Sequence, residues 1–275
     1  MNRLCSVLAL SPLLLCSLAP AVAQSAPMGP PPILVVQYEV VKPGHTGAMH
    51  DRSESAFVRI AKAAKLKEYY LGTTSLSGDN RALFFMGYGS FADWEKDQKS
   101  VEGNAVVSKQ LDAAFVADGE MLSNAGQSVI VYQKDMSHNG DKIDVGLTRY
   151  WEVSRWKIKP GHDADWHEAV KMYSDALAKA DPNSIWATYT GMYGDSSGGM
   201  YIFFTPLKSL AEVDAHMMND PKVIEAVGKE GMKRLGELLA ASVEWDQTNL
   251  FRANPKMSYA PPDWIKADPE FWNAK

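Results

Sequence analysis

The chain repeats itself. Lys42-Pro43-Gly44-His45 returns 117 positions later as Lys159-Pro160-Gly161-His162, and six of the fifteen positions from Val36 to His50 match their counterparts between Val153 and His167. Further on the offset becomes 119. Tyr70-x-Gly72 then aligns with Tyr189-x-Gly191, Leu83-Phe84-Phe85 with Ile202-Phe203-Phe204, and Ser90-Phe91-Ala92-Asp93 with Ser209-Leu210-Ala211-Glu212. Matches that stay collinear over such a length mark two copies of one structural unit. Each copy must then fold alike, and a surface that one copy leaves bare is available to the other.

Each copy reads as strand, helix, two strands, helices, strand. In the first, a β-rich run from Ile33 to Val41 stops at the Pro43-Gly44 turn signal. Met49, Ala56, Phe57, Ile60 and Ala64 lie near helical spacing and predict a helix with those residues inward. Strands are expected over Glu68–Ser75 and Arg81–Tyr88, joined by Ser77-Gly78-Asp79-Asn80. Helices follow from Phe91 to about Leu122, then a strand from Ser128 to Gln133. The second copy reads as a strand over Tyr150–Ile158 and a helix burying Trp166, Val170, Tyr173 and Leu177. A hairpin of Ile185–Tyr193 with Met200–Thr205, helices over Leu210–Leu239 and a strand over Ser242–Asn249 complete it.

A βαββαβ unit makes a four-stranded antiparallel sheet with helices on one face. The other face is apolar and has to be covered. The expected fold class is therefore α+β: two tandem βαββαβ ferredoxin-like units, residues 32–135 and 147–252, forming one intramolecular α+β barrel with helices outside. Residues 136–146 read as the linker. Residues 253–275 carry four prolines with Trp264, Phe271 and Trp272, and read as a tail packed on the surface or across a barrel mouth.

The first 23 residues have one positive charge, a short apolar core and an Ala21-Val22-Ala23 end, the parts of a signal peptide. A periplasmic or secreted protein is expected. Ser11, Pro12, Ser17 and Pro20 interrupt a run already short for a bilayer span, and no second long apolar stretch follows, so no membrane span is expected after its removal. Both cysteines, Cys5 and Cys16, fall in that segment, which leaves the rest without thiols or disulfides. The chain carries 28 basic and 33 acidic residues, and losing Arg3 would take its net charge from −5 to −6. Without a basic excess to neutralise phosphates, nucleic acid is not an expected partner.

Alternation puts Leu34, Val36, Tyr38 and Val40 on one face of the first strand, with Gln37 and Glu39 opposite. Trp151, Val153, Arg155 and Lys157 are their counterparts on the fifth strand. If the barrel encloses a space, Tyr38, Arg155, Tyr70 and Tyr189 line it, and Arg155 would favour an anionic or carbonyl ligand. The competing reading has Arg155 reaching solvent and the tyrosines filling the barrel. His45 and His162 stand at helix starts, where capping the first turn is the simpler role. His50 and His167, about one turn further on, are the remaining ligand-binding candidates. Five-residue spacing is wrong for a two-histidine metal site on one helix face, and no His-Glu-x-x-His pattern occurs. No metal and no cofactor are expected, and no nucleophile elbow, P-loop or dinucleotide fingerprint is present.

The strand ending in Val41-Lys42-Pro43-Gly44-His45, the long helix after it and Phe91-Ala92-Asp93-Trp94 resemble the dimeric α+β barrel superfamily, especially its NIPSNAP-like and antibiotic-biosynthesis-monooxygenase-like domains. The resemblance covers both halves. It implies the barrel fold and a range of activities, from cofactor-free oxygenases to haem-degrading enzymes and haem-carrying peroxidase relatives. The haem-degrading branch looks like Phe-x-x-Trp followed ten residues later by the ligating histidine. Here Trp94 is followed by Asn104, and the second copy has Val213 and Val223 at these places. The expected function is an exported small-molecule-binding α+β barrel that takes a small hydrophobic or anionic ligand. Alternatives are a cofactor-independent monooxygenase-type enzyme acting on an aromatic or hydrophobic substrate, and a haem-binding protein. A homodimer is among the expected partner states, with the oligomeric state left open by the sequence.

Overall fold

The computed structural model describes residues 29–274; the signal segment expected over residues 1–23 lies outside them. The first half runs β1 (Ile33–Val41), α1 (Ala48–Ala64), β2 (Tyr70–Ser75), β3 (Arg81–Tyr88), α2 (Phe91–Glu102), α3 (Ala105–Gly119) and β4 (Leu122–His138). The second runs β5 (Tyr150–Ile158), α4 (Asp163–Ala180), β6 (Trp186–Gly194), β7 (Met200–Leu207), α5 (Ala211–Val227), α6 (Lys229–Ser242) and β8 (Val243–Ala253). Two short helices, α7 (Pro262–Ala267) and α8 (Pro269–Trp272), end the chain.

All eight strands close into one barrel in the order β1-β3-β2-β8-β5-β7-β6-β4. The expected α+β barrel is present. Its two halves contribute the contiguous blocks β4-β1-β3-β2 and β8-β5-β7-β6, joined edge to edge by the β2–β8 and β4–β6 ladders. The registers run in parallel. Val36 stands between Phe85 and Ser128, and Val153 between Phe204 and Asn249. The β1–β4 ladder is interrupted between Val40 and Val41, the β5–β8 ladder between Lys157 and Ile158. Strand β4 is longer than the expected Ser128–Gln133. Its first residues, Leu122 to Gln127, lack the β-branched character of a strand but pair with β1 all the same.

The repeated Lys-Pro-Gly-His segment is a structural joint. Gly44 and Gly161 adopt φ of 84° and 85°, a conformation other residues rarely take, and turn the chain from strand into helix. The lysine before the proline reaches the carbonyl end of the last helix of its own half. Lys42 Nζ donates to Glu120 O at 2.9 Å and Lys159 Nζ to Ala240 O at 3.0 Å. An ammonium there satisfies an orphan carbonyl and complements the negative end of the helix dipole.

Side chains alternate across the barrel wall. Leu34, Val36, Leu71, Leu83, Phe85, Ile130, Trp151, Val153, Tyr189, Ile202, Phe204 and Phe251 meet inside as one core. The tail covers one mouth. Trp264, Phe271 and Trp272 pack onto that core, the Trp272 indole N–H donates to Gly146 O at 2.9 Å, and Arg149 pairs with Asp268 while lying 3.9 Å over the Phe271 ring. Helices cover the outer face, α1 against α3 in the first half and α4 against α5 and α6 in the second.

Helix α1 does not bury the stripe expected of it. Its buried residues are His50, Glu54, Val58 and Ala61, whereas Met49 is exposed and Phe57 stacks near Phe115 with centroids 4.8 Å apart. The helix is rotated because its sheet-facing stripe carries two ionisable residues, which apolar periodicity alone reads as a solvent face.

Candidate functional site

The second half carries a cavity of about 570 Å³ between the outer face of β5, β6 and β7 and the helices α4 to α6. Outward alternation on β5 delivers Glu152, Ser154 and Trp156, and β7 delivers Phe203 and Thr205. Helix α4 adds Trp166 and Tyr173, and Trp186 at the start of β6 completes an aromatic wall. The polar groups come largely from α5, in His216, Asn219 and Asp220, with Asp181 from the end of α4. The Trp166 indole N–H is buried and has no hydrogen-bond partner among the described residues. That nitrogen is enclosed by protein, so the polar contacts open to a ligand are those of Ser154, Tyr173, His216 and Asn219. Tyr173 is held above its ordinary pKa by burial and by the carboxylates of Asp220 and Glu152, which keeps it a neutral hydrogen-bond donor.

This volume is not where a barrel lumen would put it. The interior is packed by the core described above, and a polar patch stands further along β1 and β5. There Tyr38 and Arg155 do come together. Burial and a hydrogen bond to Asp195 push the Tyr38 hydroxyl up, while burial and the charge of Arg81 push Arg155 down. Arg155 also lies 5.4 Å from the Trp245 ring.

The other expected site residues scatter. Tyr189 is a fully buried interior residue whose hydroxyl donates to Pro31 O at 3.0 Å, so its polar end is spent on the backbone. Tyr70 faces outward instead, with Phe84, Met257 and Tyr259 about it. The aligned pair Tyr70 and Tyr189 does not share a ladder position. Thr73 stands opposite Leu83 as Tyr189 stands opposite Ile202, a slip of three residues, and an odd slip exchanges faces. His167 is on the exposed side of α4, 3.2 Å from Tyr201 Oη. It belongs to neither the lumen nor the cavity lining.

His50 is buried under α1 against the outer face of β1, in the first half. Its Nε2 lies 3.0 Å from Glu39 Oε2, 3.8 Å from Asp118 Oδ1 and 3.9 Å from Glu54 Oε1. All four residues are buried, and one ligand atom from each lies within 4.8 Å of the others. Gln37 donates to the second oxygen of Glu39 at 3.0 Å. Burial, then the charges of Glu39 and Asp118, push the Glu54 carboxyl up to about 10. Sequence reading put Glu39 on the outward face of its strand, but nothing in the spacing of Glu54 or Asp118 announced a meeting between β1, α1 and α3. Nor could the cavity be foreseen, since it depends on how far α5 stands off the sheet.

No family model matches this chain, and no curated protein matches it. Solved structures do. An anthrone oxidase-like protein is 15% identical with a TM-score of 0.55, over 83% of this chain and 94% of that one. What these structures share with this chain is the fold, a closed eight-stranded α+β barrel. A candidate monooxygenase from Fusobacterium nucleatum subsp. nucleatum is 14% identical with a TM-score of 0.51, over 82% of this chain and 93% of that one. A mutant chlorite dismutase from Candidatus Nitrospira defluvii is 11% identical at 0.50, over 88% and 97%. At such identities the shared barrel is what the likeness carries. The residues at the places where the haem-degrading pattern has its ligating histidine do not fit that role. Asn104 caps α3 by accepting from the Val107 N–H, and Val223 is an aliphatic part of the cavity wall.

Proposed function

We propose that this barrel is an exported small-molecule-binding protein whose ligand lies in the second-half cavity, and that the ligand is planar, aromatic and bears a hydrogen-bond acceptor. The cavity of about 570 Å³, walled by three tryptophans and a phenylalanine and offered donors by Asn219 and the neutral Tyr173 hydroxyl, carries this reading. Such a wall supplies stacking faces, and a few polar groups fix orientation. Export rests on the N-terminal segment, and the equal ladder registers support an origin by tandem duplication of a ferredoxin-like unit.

The test is direct because the wall is fluorescent. Titrating anthrone-type tricyclic phenols and ketones should quench tryptophan emission and raise the melting temperature. Val223→Phe should fill the cavity and abolish both responses while the far-ultraviolet circular dichroism stays unchanged. Equal quenching in that variant would remove the cavity from the proposal.

A second reading, favoured by His216 and the carboxylates at the same cavity, is cofactor-independent oxygenation. It agrees in kind with the anthrone oxidase-like and monooxygenase names of the structural neighbours. In such chemistry a base removes a proton from an acidic C–H of the bound substrate. The resulting carbanion reduces O2, so anthrone plus O2 would give anthraquinone and water. His216 is the imidazole of the cavity lining and the candidate base. Oxygen uptake with anthrone should fall about 100-fold or more in His216→Ala, the range that loss of a general base removes. Unchanged uptake would leave a binding protein.

A further inference from the structure

The Glu39–His50–Glu54–Asp118 cluster lies in the opposite half from the aromatic cavity, and neither reading above uses it. Three carboxylates and one imidazole are enclosed there between β1, α1 and α3, each residue at least 96% buried. Among the described residues no lysine or arginine pairs with any of the three carboxylates. Isolated anions are not tolerated in such surroundings, so the cluster must either hold protons or hold a cation. Two of its atoms decide which is the better account. Glu54 Oε1 and Asp118 Oδ1 are buried and lack any hydrogen-bond partner, yet each stands within 4 Å of His50 Nε2. Hydrogen bonding holds part of the cluster, His50 Nε2 to Glu39 Oε2 at 3.0 Å, but it leaves these two oxygens facing the same centre unpaired, which a cation drawn in among the four would satisfy.

The spacing suits one ion. Ligand atoms about 2.1 Å from a common centre sit roughly 3 Å apart when adjacent and about 4.2 Å when opposite, which is the first-row transition-metal range. The His50 Nε2 separations of 3.0, 3.8 and 3.9 Å fall in that interval. Gln37 grips the other oxygen of Glu39, as an outer-shell partner that turns a ligating carboxylate toward its metal. We infer that Glu39, His50, Glu54 and Asp118 form a closed, structural site for one divalent transition-metal ion. One imidazole with three carboxylates matches Mn2+, Fe2+, Co2+ or Zn2+, and the absence of thiolates among these ligands selects against Cu(I). The ion would tie β1 to α1 and α3.

The second half has nothing comparable. At the positions matching by strand register and repeat offset, Glu39 gives way to Trp156, Glu54 to Lys171 and Asp118 to Leu239, and Trp156 and Leu239 line the cavity instead.

The experiment uses the full exported chain, stripped with a chelator and titrated at neutral pH with Zn2+, Mn2+ and Co2+ by calorimetry and thermal melting. Binding of one equivalent is expected, with a rise in melting temperature and, for Co2+, a visible d–d absorption typical of mixed nitrogen and oxygen ligation. Glu54→Gln and Asp118→Asn keep side-chain shape and should each weaken binding at least tenfold and alter the Co2+ spectrum. No binding of any of the three ions at 1 mM (about what adventitious surface sites need) overturns the site. So does binding that both variants leave as tight as before. Ligand binding in the aromatic cavity is read separately, by tryptophan quenching, so the two proposals fail independently.

Discussion

Glu68 shows how a single side chain sets a pH response. Burial first, then the nearby charges of Asp97 and Asp93, raise its carboxyl to about 8 from an ordinary 4.5. Between those values the folded chain keeps a proton that the unfolded chain has lost. Stability attributable to this residue is therefore complete below about pH 4.5, falls as pH rises through the window, and is fully lost above about 8. Because Glu68 is only half-buried, solvent screening cuts the effect to the order of 1 kcal/mol. Glu68→Gln should melt with the wild type at pH 4.5 and about 2–4 °C above it at pH 9. A constant difference at both values would assign the change to packing. At this scale the sequence was partly legible. Tyr38 and Arg155 meet, as strand alternation suggested. Tyr70 was misplaced because an insertion of unknown position hid a three-residue slip, and His50 found its partners through the rotation of a helix rather than through spacing.

Among elements, β2 depends on the segment after β8. The Gly72 N–H donates to Ser258 Oγ at 2.9 Å, its carbonyl accepts from the Asn254 N–H at 2.9 Å, and a Cβ on it would lie 2.4 Å from Met257 O. The obstacle is backbone and cannot swing away. Gly72→Ala should cost about 1–3 kcal/mol, as overpacking does. Gly236 in α6 is the control: a Cβ there meets nothing within 4 Å, and alanine should stabilise the helix by up to about 1 kcal/mol. Thermal melts of the two variants should move in opposite directions, and a shared direction would refute the steric account. Strands with β-branched and aromatic residues, such as β1, β3 and β5, were legible in the sequence. Strand β4 was only half legible, since Asn124, Ala125 and Gly126 take strand pairing from β1 and not from any preference of their own.

Across the whole molecule, the tail is part of the core. Trp272 is 5% exposed, packs against a tilted Trp264 ring and edge to face with Phe271, and donates to Gly146 O. Trp272→Ala should destabilise the barrel by about 3–5 kcal/mol and increase binding of a dye for apolar surface. A melt like that of the wild type would mean that the tail merely rests on the mouth. The closed barrel itself was legible because the repeated Lys-Pro-Gly-His joint fixed the order of elements twice. The cavity was not, since it is a gap left between layers and no residue pattern encodes a gap. The ring of strands also has unequal joins: β2 meets β8 through three residue pairs, Thr73 to Ser75 with Phe251 to Ala253, whereas β4 meets β6 through seven. A hoop parts at its thinnest weld. Transient opening should start where β2 meets β8, so deuterium should enter the amides of Thr73 to Ser75 well before those of Val129 to Gln133.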